Sequence, residues 1–173
     1  MFNQTIERIK QDLPDRFKIM VNESLALVVK RVQKKGLRAD GSKFSKYSTT
    51  PVPAFFYHNL AKRKGATSKL EKFAKEKKYI SYSDFRTLVG NRTDIKDFTM
   101  TGVMWASFHS FDVISDEKGV ETYLGFNDVE VAKRYRYNSE REGIDIGDLS
   151  EDEVDKLADS INEWIYEQIK IDV

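Results

Sequence analysis

The chain begins with a long helical pattern of apolar residues. Between residues 3 and 35 the apolar positions recur at spacings of three and four, the period of one face of an α-helix. These positions are Ile6, Ile9, Leu13, Phe17, Met20, Val21, Leu25, Val28 and Val32. Pro14 is expected to kink or restart the helix because it lacks an amide proton. Gly36 is expected to end it.

A second clear helix is predicted at the other end of the chain. Ser150 and Glu153 have the spacing of a capping box, in which each side chain binds a free backbone amide of the first turn. Acidic residues in that turn also suit the positive end of the helix dipole. Apolar residues then continue at helical spacing, at Val154, Leu157, Ala158, Ile161, Ile165 and Ile169.

The segment after the first helix is predicted to be less regular. Asp40-Gly41 indicates a turn, because both residues tolerate a positive φ. Residues 45–67 contain Ser, Thr and two prolines, and we interpret them as an extended loop with a short helix around 55–64. This loop is the predicted flexible arm. A capping box at Ser68 and Glu71 predicts a short basic helix that follows it.

The remaining part predicts a small β region. Residues 103–108 favour a short helix or strand, and residues 111–126 have the pattern of a β-hairpin with a turn at 116–119. Residues 128–137 favour another short helix. We therefore predict one α+β domain over residues 1–173, with a long N-terminal helix, an extended basic loop, a small antiparallel β-sheet and a C-terminal helix.

Composition narrows the class of protein. Aromatic residues make up 12% of the 173 residues, which indicates a folded chain. The chain has no cysteine, which excludes a disulfide scaffold and cysteine–zinc sites. No stretch approaches the roughly 20 apolar residues that a membrane-spanning helix needs, and the first 30 residues lack a secretory pattern, so no membrane partner is predicted.

Charge is strongly segregated along the chain. Residues 30–78 contain 15 Lys and Arg against 3 acidic residues, whereas residues 111–173 contain 7 against 18. One interpretation is two solvated faces of opposite sign. The other is that the basic part contacts the acidic part of another copy, or DNA. The candidate contact residues are Lys62, Arg63, Lys64, Lys69, Lys72, Lys75, Lys77 and Lys78.

Catalytic chemistry has little support in the sequence. His58 and His109 lie 51 positions apart, and neither has a second ligand at helical or hairpin spacing. No glycine-rich nucleotide loop and no serine nucleophile elbow occur. We therefore predict no enzyme, no metal site and no cofactor. Trp105 and Trp164 are predicted to be core or interface residues.

Several segments, taken in order, resemble the phage virion-morphogenesis and tail-completion proteins. Residues 39–48 (ADGSKFSKYS) match a turn of the form Asp/Gly-Gly-x-x-aromatic followed by Tyr-Ser, and a basic segment follows. Residues 85–90 (FRTLVG) and, later, 98–108 match a Leu- or Phe-rich piece that ends in Thr-Gly-x-Met/Leu and a short apolar run. Residues 137–150 match the turn and the Leu-Ser that open the last helix. The resemblance covers about residues 5–170, although a proline-rich piece of the family is replaced here by residues 140–144 without proline.

The resemblance implies a structural role in the virion. The chain would be one subunit of a six-fold or twelve-fold ring at the head–tail junction, or neck, of a tailed phage. The ring would be assembled in the host cytoplasm and would bridge the connector and the tail proteins around the DNA channel, with non-specific contact to genomic DNA. The family supplies no catalytic residues. The alternatives are a small non-specific DNA-binding protein that uses residues 30–78 and a metal-dependent nuclease.

Overall fold

The computed structural model describes residues 2–99 and 102–170, with side chains from Gln4 onward. It confirms the α+β class, with two separate two-stranded antiparallel sheets where one sheet was predicted. The helices are α1 (Phe2–Lys30), α2 (His58–Arg63), α3 (Thr67–Glu76), α4 (Tyr82–Leu88), α5 (Val103–Ala106), α6 (Val129–Glu142) and α7 (Glu151–Lys170). The strands are β1 (Pro51–Pro53), β2 (Tyr79–Ser81), β3 (His109–Asp116) and β4 (Gly119–Gly125).

Helix α1 runs through Pro14 without interruption, so the predicted restart is wrong. The carbonyl of Lys10 receives no hydrogen bond from residue 14, because proline has no amide proton, but Lys10 is exposed and water can donate to that carbonyl. One π-helical turn at Arg31–Lys35 follows, and the chain leaves it at Gly36, which has a φ of 65°. The amide of Gly36 donates to the carbonyl of Val32 at 3.0 Å, and the predicted helix end is confirmed.

Helices α1 and α7 pack against each other in antiparallel orientation. At one end Arg8 donates to the carbonyl of Gln168 at 3.1 Å. At the other end Arg31 pairs with Glu153 at 3.0 Å. The capping box at the start of α7 is confirmed, because the Ser150 amide donates to Glu153 at 2.8 Å and the Glu153 amide donates to the Ser150 hydroxyl at 3.3 Å.

The main hydrophobic cluster lies around the end of α1. Its buried members are Val28, Val32, Phe44, Trp105 and Ile146. The predicted turn at Asp40-Gly41 is confirmed. A carboxylate oxygen of Asp40 accepts bonds from the amide and the hydroxyl of Ser42, and Gly41 has a φ of 80°. This turn reverses the chain and brings Phe44 back to the helix.

A second cluster holds together a small lobe, which we define as residues 51–89. Its buried members are Ala54, Ala61, Leu70, Ile80 and Phe85. Strand β1 pairs with β2, with Val52 opposite Ile80. The lobe therefore has its own core beside the main cluster.

The predicted flexible arm at 45–67 has more regular structure than the sequence suggests. It contains β1, a 3₁₀ turn at Ala54–Tyr57 and α2, and α2 confirms the predicted short helix. The segment is more regular than predicted because two of its alanines, Ala54 and Ala61, are buried in the core of the lobe. The mobility of this segment stays a prediction. The predicted capping box at Ser68 is wrong. Helix α3 begins at Thr67, before Ser68, and its N-cap residue, Ala66, makes no side-chain bond.

The hairpin of β3 and β4 is confirmed. Asp116 lies opposite Gly119 at the turn, and the register shifts between Ser110 and Val113. The base of the hairpin packs on α1, where the Ser110 amide donates to the Asn22 side chain at 3.2 Å. Helix α6 confirms the predicted helix around 128–137 and extends it. No helix in the part of the chain that the structure describes is long and apolar enough to cross a membrane.

Candidate functional site

A cleft of about 800 Å³ separates the small lobe from α6. One wall comes from α2 and the turn before it, and the other comes from one face of α6 and the start of α5. The lining residues of the two walls include Tyr57, Leu60, Arg63, Arg134, Tyr137 and Arg141. A cavity of this size is large enough to hold several side chains of a partner or a small ligand.

Tyr47 forms part of the cleft floor and is held by several hydrogen bonds. Its hydroxyl donates to Oδ1 of Asp97 at 2.8 Å and accepts the amides of Asp97 and Phe98 at 3.2 and 3.1 Å. Burial raises the pKa of Tyr47 well above its usual range, and the nearby Asp97 carboxylate adds to the effect. The phenol therefore stays neutral and serves to fix the loop that carries residue 97.

Glu142 anchors the opposite side of the floor. Its side chain is fully buried and accepts bonds from Lys96 at 2.6 Å, from the Ser45 hydroxyl at 2.6 Å and from Arg38 at 3.0 Å. Burial by itself would raise the pKa of Glu142, but these bonds outweigh it and lower the pKa to about 2. Because the single carboxylate of Glu142 pairs with both Lys96 and Arg38, this cluster keeps a net positive charge.

Three arginines of the cleft have no acidic partner in the part of the chain that the structure describes. Arg63, Arg134 and Arg141 form no ion pair among the residues that the structure describes. Lys133, in contrast, pairs with Glu130 at 2.8 Å. The walls therefore combine unneutralised guanidinium groups with tyrosine rings, a combination that suits acidic groups carried beside apolar ones.

The basic residues predicted from the sequence lie mostly outside this cleft. Only Arg63 lines it. The others are exposed on the outer face of the small lobe, except for the half-buried Lys64. Lys62 is in the last turn of α2, Lys64 follows that helix, and α3 carries Lys69, Lys72 and Lys75, while Lys77 and Lys78 precede β2.

An exposed aromatic patch lies on the same lobe. Phe55 and Phe56 are 69% and 63% exposed, and their rings stack with centroids 4.3 Å apart. Tyr79, opposite Pro53 in the small sheet, is 60% exposed. Large apolar side chains that are exposed together commonly mark a surface that binds a partner.

The two tryptophans have different positions. Trp105 is buried in the main cluster, and its indole Nε1 donates to the carbonyl of Asp97 at 3.0 Å. Trp164 is half-buried on α7. His58 is exposed, and Nδ1 of His109 lies 2.8 Å from the Ser107 carbonyl. Within the described residues no group of three or more histidine, aspartate or glutamate side chains is placed to hold a metal ion.

Sequence reasoning missed the contribution of α6 to the cleft. Its residues fall in the acidic third of the chain, so the overall charge of that region concealed them. The signal was nevertheless present, because Lys133, Arg134, Tyr137 and Arg141 recur at three- and four-residue spacing and so share one helical face. The opposite wall could not be paired with this face from the sequence, since more than 60 residues separate them.

Comparison of the chain with protein-family models, with curated proteins and with solved structures gives no significant match. Function is therefore inferred from the residues, their geometry and the sequence resemblance.

Proposed function

We propose that this chain is a structural subunit of a ring at the head–tail junction of a tailed phage. It would bridge connector and tail around the DNA channel, together with other copies of itself. One observation carries the proposal: three of the segments that resemble virion-morphogenesis and tail-completion proteins, 39–48, 98–108 and 137–150, meet in the main hydrophobic cluster, although they are far apart in the chain. The remaining segment, 85–90, supplies Phe85 to the second cluster.

The first segment, 39–48, places Phe44 in the cluster, where it packs edge-on against Phe98 of the second segment with ring centroids 4.9 Å apart. The second segment also supplies Trp105, and the third supplies Ile146. Segments that pack on one another are constrained together by the fold. Thr101, from the Thr-Gly of the second segment, lies outside the described residues.

The distribution of charge supports assembly by repeated contacts. Helix α7 exposes six acidic residues, whereas the small lobe exposes the basic residues of α2 and α3. Two different surfaces of opposite sign on one chain suit a head-to-tail contact, in which one surface of a copy meets the other surface of the next. Such contacts close into a ring when the rotation between copies is regular.

The exposed aromatic patch of Phe55, Phe56 and Tyr79 gives the same surface an apolar component. Charge complementarity mainly orients partners and speeds their encounter, while buried aromatic residues supply much of the binding free energy. A lobe that carries both is suited to a stable contact with a protein neighbour.

Labelling of virions tests the proposal. Particles of the phage that encodes the chain are labelled with an antibody against it and imaged by electron microscopy, with an antibody against the major capsid protein as the control for accessibility. Label confined to the head–tail junction is the expected result. Absence of the chain from the same particles by mass spectrometry would overturn the proposal.

Non-specific DNA binding through residues 30–78 is the second candidate. The exposed basic residues of the small lobe favour it, because none of them pairs with an acid among the described residues. Its test is binding of the purified chain to a double-stranded oligonucleotide at several salt concentrations. A steep loss of affinity with salt, reduced by Lys72→Glu with Lys75→Glu, supports it, since each phosphate contact adds to the slope. Binding that is absent at low salt refutes it.

A further inference from the structure

We infer that the tip of the β3–β4 hairpin of one copy docks in the cleft of a neighbouring copy. The inference rests on the proposed ring for the presence of that neighbour. It goes further because it names the two surfaces that meet.

The hairpin tip is exposed to solvent in a single copy. Every residue from Ile114 to Gly119 is exposed, and Ile114 and Tyr123 are 47% and 62% exposed. An isolated two-stranded hairpin is marginally stable in water, and a third strand or a packed face is usually needed. The base of this hairpin has that support from α1, whereas the tip has none among the described residues.

The tip is acidic as well as apolar. Between residues 112 and 121 it carries four acids, Asp112, Asp116, Glu117 and Glu121, against one lysine, Lys118. Asp116 is partly used to hold the turn, because Oδ1 accepts the amides of Lys118 and Gly119 at 2.7 and 3.2 Å. The other three acids form no ion pair among the described residues.

The cleft offers the complementary features. Its walls carry the unpaired Arg63, Arg134 and Arg141, and the guanidinium of Arg141 lies 5.7 Å from the ring centroid of Tyr137. Tyr137 and Val103 are each more than half exposed there, so the cleft leaves apolar surface uncovered. Docking would pair the free acids of the tip with the free arginines and would cover Ile114 and the exposed rings together.

The size of the cleft favours the hairpin over the acidic helix α7. A helix with its side chains is about 10–12 Å wide. The acids of α7 are spread along 20 residues. A cleft of about 800 Å³ could accept only a few of those residues. One side of α7 is also already packed on α1. The hairpin tip, in contrast, concentrates its acids and apolar residues within a few residues of the turn.

Disulfide trapping tests the contact directly, because the chain has no cysteine of its own. Full-length Glu117→Cys with an affinity tag is mixed with untagged Asn138→Cys, whose residue lines the cleft. Mild oxidation is expected to yield a disulfide-linked heterodimer. The matched control replaces Asn138→Cys with Arg16→Cys, which is exposed on α1 outside the cleft, and should yield at least tenfold less product.

A charge exchange gives a second, independent measurement. Arg134→Glu with Arg141→Glu is expected to weaken self-association of the purified chain at least tenfold in sedimentation experiments, and addition of Glu117→Arg with Glu121→Arg should recover most of the loss. If the chain self-associates but gives neither the cross-link nor the recovery, the hairpin contact is wrong while the ring proposal stands. If the chain stays monomeric at every concentration and is absent from virions, both are wrong.

Discussion

The guanidinium carbon of Arg86 lies 4.1 Å from the centroid of the Tyr47 ring, and both side chains donate to the same oxygen, Oδ1 of Asp97, at 2.8 Å. Arg86 is 1% exposed and also donates to the carbonyls of Arg92 and Thr99. Through this arginine α4 of the small lobe is fixed to the loop beneath the cleft. This buried cation therefore helps to set the relative position of the two cleft walls.

Replacement of this cation by lysine should be destabilising. Arg86→Lys keeps the charge but cannot reach Asp97 and both carbonyls at once, because the ammonium lacks the planar fork of donors. We expect the free energy of unfolding to fall by about 2 kcal/mol or more, measured by urea denaturation. Arg92→Lys is the control, since its pair with Asp94 is exposed and should contribute much less to stability. Equal losses for the two variants would contradict the role of Arg86.

Glu142 should make the fold sensitive to acid. Its pKa in the folded protein is about 2, below the ordinary value of 4.5, because its bonds from Lys96, Ser45 and Arg38 outweigh burial. A lowered folded pKa stabilises the protein above the unfolded pKa, and the stabilisation is lost as pH falls from about 4.5 towards 2. The loss should be on the order of 2 kcal/mol.

Thermal unfolding followed at pH values between neutrality and 3 measures this effect. Glu142→Gln should lower the melting temperature at neutral pH and flatten the decline towards acid pH, because glutamine has no proton to gain. Glu140→Gln, an exposed change on the same helix, should retain the decline of the parent chain. A decline in Glu142→Gln as steep as in the parent would assign the acid sensitivity to other groups.

Gly36 should tolerate a side chain less well than a glycine of nearly identical backbone conformation. Gly36 and Gly65 have φ values of 65° and 63°, so alanine is strained at either position. A Cβ at Gly36 would also lie 2.7 Å from Cβ of Ile95, whereas nothing lies within 4 Å of a Cβ at Gly65. We expect Gly36→Ala to cost about 1–3 kcal/mol more than Gly65→Ala in urea denaturation. Equal costs would show that Ile95 moves aside.

The features that could be predicted from the sequence depend on neighbouring residues. The helical spacing of α1, the capping box of Ser150 and Glu153 and the turn of the β3–β4 hairpin all lie within a few residues, where one period or one turn decides the structure. The capping box at Ser68 failed although it has the same spacing. There the helix already begins at Thr67, so Ser68 lies inside the first turn and cannot be the N-cap residue.

The features that could not be predicted depend on distant residues. Glu142 accepts hydrogen bonds from Ser45 and Lys96, which are 97 and 46 positions away in the sequence. No local sequence pattern predicts such a pairing. The prolines of β1 led to the prediction of a loop, because proline has no amide to donate to a neighbouring strand. They are accommodated in a short strand with one partner, and burial of Ala54 directly after it holds that strand in place. The cleft follows from these long-range contacts, so its two walls could not be combined in advance.

Reversal of charge on α3 and on the short segment after it should separate assembly from folding. Lys72, Lys75 and Lys78 are exposed on the small lobe, so Lys72→Glu, Lys75→Glu and Lys78→Glu together should leave the circular dichroism spectrum and the melting temperature nearly unchanged. If this basic surface meets the acidic α7 of a neighbouring copy, the variant should fail to form the oligomer of the parent chain in size-exclusion chromatography. The control reverses three exposed charges outside the basic segment and outside α7, at Lys10, Arg16 and Arg136, and should assemble as the parent does. Normal assembly of the α3 variant would remove the basic surface from the contact between copies and leave DNA as its partner.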